Sequence, residues 1–128
     1  MASSAGDAAL SSTPVRSARR RPAGRVRVDE IDLVEVLRAL ADPVRLRVVV
    51  QLADNEYHPC HTEEYGLNIH KSTLSHHFKT LREAGITATL VRGRNHGVRL
   101  RSDDLQARFP GVLESVISAA TKLDSGTG

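Results

Sequence analysis

The sequence predicts a mainly helical domain that carries one β-hairpin. Three observations lead there. Apolar residues recur at helical spacing in several separated stretches, and two runs of alternating residues flank the segment Gly93-Arg94-Asn95-His96-Gly97. The composition, 40% hydrophobic with only 3% aromatic, points to a core of Leu, Val, Ile and Ala. A length of 128 residues fits one domain rather than two. The single cysteine, Cys60, cannot close a disulfide within its chain, and no apolar run approaches the roughly 18 residues that a membrane span needs. A soluble protein of a reducing, cytoplasmic compartment is expected, with no membrane partner.

Residues 1–28, rich in Ser, Ala, Arg and Pro, show no apolar periodicity and no signal-peptide stretch, so they read as a disordered arm. The arm's Arg-rich, acid-poor character also fits a transit peptide, though without an amphipathic helix, and Arg19, Arg20 and Arg21 are candidates for reaching a nucleic-acid groove or its phosphates. The domain proper is expected over residues 29–123, with residues 124–128 as a flexible tail.

From Asp29 to Leu40, the residues Ile31, Leu33, Val34, Val36, Leu37 and Leu40 fall at helical spacing, with Asp29, Glu30 and Asp32 at the positive end of the dipole. Asp42 before Pro43 reads as an N-cap followed by proline at the first helical position, opening a second helix to about Leu52. Val44, Leu46, Val48, Val49, Val50 and Leu52 cover most of its circumference, which predicts the central buried helix. Pro59, Gly66 and the polar run 61–64 leave room for only a short helix ending near Tyr65.

Ser72 is a good N-cap for a helix through Ala84, stopped by Gly85. Leu74, Phe78 and Leu81 form its core face, while Ser72, Ser75, His76, Lys79 and Glu83 point away. Residues 86–92 and 98–101 then alternate as two strands, and the ribbon they make carries Arg92, Arg94, Arg99 and Arg101. Ser102, Asp103 and Asp104 start a turn. A last helix from about Pro110 to Leu123 places Phe109, Val112, Leu113, Val116, Ile117 and Ala120 on one stripe in need of a partner.

The formal net charge of +3 hides a lopsided distribution. Residues 70–101 hold seven Lys/Arg against Glu83 and residues 1–28 hold six Arg against Asp7, whereas residues 29–69 carry nine acidic and three basic side chains. A basic block inside an acidic frame suits a polyanion held against one face, because Lys and Arg displace condensed counterions from phosphates.

Helix, buried helix, short helix, polar-faced helix, basic hairpin, amphipathic helix is the order of a winged helix-turn-helix, with about five helices and a two-stranded wing. LRALADPVRLRVVVQLA (residues 37–53), KSTLSHHFKTLREAGIT (residues 71–87) and the basic GRNHG loop resemble the ArsR/SmtB arsenic-repressor type of bacterial winged-helix transcriptional regulators, over residues 31–123. The resemblance implies a homodimer joined through its first and last helices, bound to an inverted-repeat operator near a promoter on the nucleoid and released by an inducer. On that pattern Ser72, Thr73, Ser75 and His76 are candidates for base edges and nearby phosphates, and Lys79 for the backbone of double-stranded DNA. His77, in the position of the family's motif histidine, packs and orients the helix. Arg92, Arg94, Asn95, His96 and Arg99 carry the wing's phosphate contacts. Val34, Leu37, Phe109, Val112, Leu113, Val116 and Ile117 are the candidate dimer interface.

His58, Cys60 and His61 lie within four residues, and a thiolate with imidazoles suits a regulatory transition metal such as zinc, copper(I) or nickel. The family's paired cysteines in the short helix and its Asp, His and Glu ligands on the last helix are both missing, so such a site would borrow His70, His96 or a residue of another subunit. A thiol switch at Cys60 is a second alternative. An enzyme with Cys60 as nucleophile lacks a glycine-rich phosphate cradle and paired catalytic acids, and a dimeric interaction module without DNA binding conflicts with the basic ribbon. No cofactor is expected otherwise.

Overall fold

A computed structural model describes residues 26–127, with side chains through Leu123. The Arg19–Arg21 cluster and most of the N-terminal arm lie outside the described residues. The described residues form five α-helices, three short 3-10 turns and a three-stranded antiparallel sheet.

The first helix is shorter than the periodicity suggests. Val28–Glu30 is a 3-10 turn, and α1 spans Leu33–Leu40. Asp32 supplies the N-cap, its carboxylate accepting from the Glu35 amide at 3.1 Å. Ile31 is fully buried just ahead of the helix, and its carbonyl accepts from the Arg108 guanidinium. Val36, Ala39 and Leu40 face the core, leaving Leu33, Val34 and Leu37 exposed.

Asp42 and Pro43 open α2 (Pro43–Gln51) as expected, with the Asp42 carboxylate accepting from the amides of Val44 at 2.9 Å and Arg45 at 3.0 Å. Burial alone would raise the Asp42 pKa, but the Arg45 amide and the Arg45 charge outweigh it and hold the carboxyl below its usual range. Only Val48 and Val49 of α2 are buried, continued by Leu52 in the 3-10 turn Leu52–Asp54; Val44, Leu46 and Val50 are half-buried and border an open groove towards the C-terminal helix. The helix is therefore central but open along one side.

Residues 58–59 add an element missing from the sequence reading. His58–Pro59 forms β1, pairing with β3 (Asn95–Leu100), which in turn pairs with β2 (Thr87–Arg92), so the sheet order is β1-β3-β2. Thr62–Tyr65 is the short 3-10 turn ending at Gly66. Tyr65 is buried; its hydroxyl donates to the Pro59 carbonyl at 2.9 Å, and its ring meets Phe78 edge-on at 5.7 Å.

Helix α3 spans Lys71–Glu83, capped by His70 rather than Ser72 and without a side-chain cap hydrogen bond. Gly85 (φ +86) makes the turn into β2, and a Cβ there would meet Ile31 Cγ1 at 2.7 Å, so a side chain would both strain the backbone and displace the buried Ile31. The hairpin turn is two residues, Gly93 and Arg94, with Arg92 paired to Asn95, instead of the five-residue loop expected. Gly93 at φ +59 supplies the positive φ that a II′ turn needs at its first central position.

After β3, the expected turn is a helix, α4 (Ser102–Arg108), and α5 spans Val112–Thr127, running past Leu123. Helix α5 packs on α2 and α4. No helix among the described residues is long and apolar enough to cross a membrane.

Candidate nucleic-acid interface

Helix α3 is fixed by its apolar face. Leu74, Phe78 and Leu81 are buried at the i, i+4, i+7 spacing that the sequence indicates, and Ser72, Thr73, Ser75, His76 and Lys79 are all exposed. Lys79 is held loosely by Glu83 one turn on, at 3.8 Å, so a phosphate would compete with an exposed ion pair of little strength.

His77 sits between the two faces with its side chain mostly covered. Its Nδ1 lies 3.0 Å from Arg45 Nη1 and 3.9 Å from Asp42 Oδ2. Arg45 Nε donates to the Ala39 carbonyl at 2.6 Å. One guanidinium thereby ties the end of α1 to the middle of α3, the packing and orienting place that the sequence reading gave His77.

The wing's register sorts its side chains. Pairing of Ala88 with Arg99, Leu90 with Gly97 and Arg92 with Asn95 places Arg92, Asn95 and Arg99 on one face of the ribbon, while His96, opposite Val91, belongs to the other. Arg94 occupies the turn. All five candidates are exposed. Arg101, by contrast, does not belong to this basic surface: it is 5% exposed, and its Nε donates to Asp104 at 3.0 Å. Its alternation along the strand is regular, but the chain turns into α4 there and takes the guanidinium inside.

The His58, Cys60 and His61 group does not converge. Both His58 ring nitrogens meet carboxylates, Nδ1 at 2.7 Å from Glu64 and Nε2 at 2.9 Å from Asp54, an arrangement that needs both nitrogens protonated. Cys60 packs half-buried against the core, and burial pushes its thiol up against the opposing pull of Arg82. His61 is exposed. Among the described residues no group of three or more His, Cys, Asp or Glu side chains is placed to hold a metal ion.

The family described as bacterial regulatory protein, arsR family, matches residues 42–87, the stretch from the cap of α2 to the start of β2. The chain is 41% identical over 83 residues to the uncharacterized HTH-type transcriptional regulator YceK of Bacillus subtilis, covering 64% of this chain and 83% of that protein. It is 34% identical over 90 residues to the HTH-type transcriptional regulator CmtR of Mycobacterium tuberculosis, covering 70% and 75%. The chain belongs to the arsR family. It is a DNA-binding transcriptional regulator and not an enzyme.

In this arsR-family chain the sequence reading overlooked two groups beside the wing. Tyr57 precedes β1, and its ring carries the Arg99 guanidinium at 4.9 Å from the centroid. Asp54 and Glu64 clamp His58. An isolated two-residue strand containing proline leaves no periodic trace, so the available signal was chemical: a histidine four residues after one acid and six before another.

Of the residues expected at a twofold interface, Val34 and Leu37 are exposed at 52% and 45%. Leu113 is 9% exposed and lies within the chain's own core, and Phe109, Val116 and Ile117 pack half-buried against it. Val112 is half-buried as well. Much of the α5 stripe is thus already covered by α2 and α4 of the same chain.

Proposed function

We propose that the protein acts in the cytoplasm, on the nucleoid, as a homodimer that binds an inverted-repeat operator, represses transcription, and is released by an inducer. One observation carries this reading: a helix with a buried apolar face and an exposed face of hydroxyls, imidazole and ammonium is joined through a single tight glycine turn to a ribbon with Arg92, Asn95 and Arg99 on one face. In it, Ser72, Thr73, Ser75 and His76 read base edges and adjacent phosphates, and Lys79 with the wing residues neutralises phosphates.

Two features support the twofold pair. Leu33, Val34 and Leu37 form an exposed apolar patch on α1, and an open groove lined by Val44, Leu46, Val50, Leu67 and Leu123 runs between α2 and α5. Reading two half-sites on one side of B-DNA requires the two α3 helices of such a dimer to lie about 34 Å apart, one helical turn.

The test is a footprint on the region upstream of the protein's own coding sequence at low salt, with sedimentation of the free protein. Protection of two half-sites about one helical turn apart is expected. A uniformly unprotected region, or a monomer at micromolar concentration, would overturn the reading. Leu37→Glu should give monomer and weaken operator binding by about tenfold or more.

A further inference from the structure

The β1–β3 register pairs His58 with Val98 and Pro59 with Gly97. Continued by one step, it places Tyr57 opposite Arg99, and the side chains do meet: Arg99 Cζ is 4.9 Å from the ring centroid, inside the roughly 6 Å over which an aromatic face attracts a guanidinium. Gly97 leaves the room. A Cβ there would come into van der Waals contact with Tyr57 Cβ and Cδ1 at 3.5 Å, so the ring lies directly against the Gly97 backbone. Tyr57 is 41% exposed, too open for its ring to be explained as core.

What lies behind the ring is firm. His58 is held by Asp54 and Glu64, and the Pro59 carbonyl by the Tyr65 hydroxyl. The two-residue strand is therefore anchored on its far side by three side-chain hydrogen-bonding partners, and its near end presents an aromatic face to one arginine.

We propose that Tyr57 is a positioning residue for DNA binding, whose ring holds the Arg99 guanidinium ready for a backbone phosphate on the ribbon face shared with Arg92 and Asn95. A stacked guanidinium keeps its N–H edges free for a phosphate while losing most of its rotamer freedom before DNA arrives, so less entropy is lost on binding. The inference rests on Arg99 contacting phosphate, as set out under Proposed function.

The test uses the full chain and a duplex of mixed sequence about 30 base pairs long at low salt, where backbone contacts dominate. Dissociation constants are measured by fluorescence anisotropy for Tyr57→Phe, Tyr57→Leu and Tyr57→Ala, each with Arg99 intact and with Arg99→Ala, and thermal melts monitor folding. Tyr57→Phe should bind within about twofold of the parent, and Tyr57→Leu, which keeps apolar bulk without a π face, should bind about three- to tenfold more weakly. With Arg99→Ala the Tyr57 substitutions should change nothing further. Leu binding as well as Tyr, Phe losing as much as Leu, or equal losses with and without Arg99 would each overturn the proposal. If the parent binds the duplex while these outcomes occur, the DNA-binding reading stands and only the role of Tyr57 falls; a parent that binds no duplex sinks both.

Discussion

Helix α3 and the wing, the two elements proposed to meet DNA, carry comparable numbers of exposed polar groups, yet they are held in opposite ways. Every exposed side chain of α3 takes its position from a helix fixed by three buried residues and by the Arg45–His77 link. Beyond Ala88 on β2 the ribbon is mostly exposed on both faces, and residues 91–96 are exposed throughout. The ribbon is held by cross-strand pairing and, at Arg99, by one aromatic ring. Hydrogen bonds to base edges need fixed geometry, whereas a phosphate oxygen accepts a guanidinium from many directions, so the rigid element suits specificity and the open one suits affinity.

Helix α3 and the wing should differ most in what their substitutions cost the fold. Leu81→Ala, at a fully buried site on α3, should cost about 2–5 kcal/mol in urea unfolding, and Val91→Ala on the wing should stay within about 0.5 kcal/mol. Gly85→Ala, forced into positive φ and into Ile31, should cost about 2–4 kcal/mol. A wing substitution as costly as Leu81→Ala would mean that the ribbon is part of the folding core.

On DNA the two elements should separate by sequence dependence. His76→Ala should weaken operator binding by about 1–3 kcal/mol with little change on random duplex. Arg94→Ala should weaken both alike and lower the salt slope by about one. Matching losses on both duplexes for the two variants would remove the division of labour.

How much of this was legible beforehand follows the same division. The core face of α3, the Asp42-Pro43 cap and the glycine stop at Gly85 could be read because each depends on residues close in sequence. The cap at Ser72 was misplaced by two residues, since His70 already adopts the extended cap conformation and no side-chain bond marks the start. Arg101 looked like one more wing arginine because alternation says nothing about where a strand dives into the molecule. The cover over α5 and the strand at His58 depend on long-range packing, to which local periodicity is blind.

The smallest expected effect concerns the anchor behind the wing. The hydrogen bond to Glu64, then that to Asp54, raises the His58 pKa above its ordinary 6.5, against the opposing effect of burial. A raised value in the folded state means that the protonated ring stabilises the fold in full below about pH 6.5, and that this contribution is lost as pH rises through the folded value. Asp54 is lowered, chiefly by the Glu56 amide and then by His58, so its share is present above its ordinary 3.8 and disappears only as acid titrates the folded carboxyl. Urea unfolding followed from about pH 6 to about pH 8.5 should therefore show the parent losing about 0.3–1 kcal/mol relative to His58→Ala. The decline should leave the stability cost of Leu81→Ala unchanged, because the ring anchors the edge strand and not the core face of α3. Parallel curves for the parent and His58→Ala would place the titrating group elsewhere and remove the imidazolium from the support of β1.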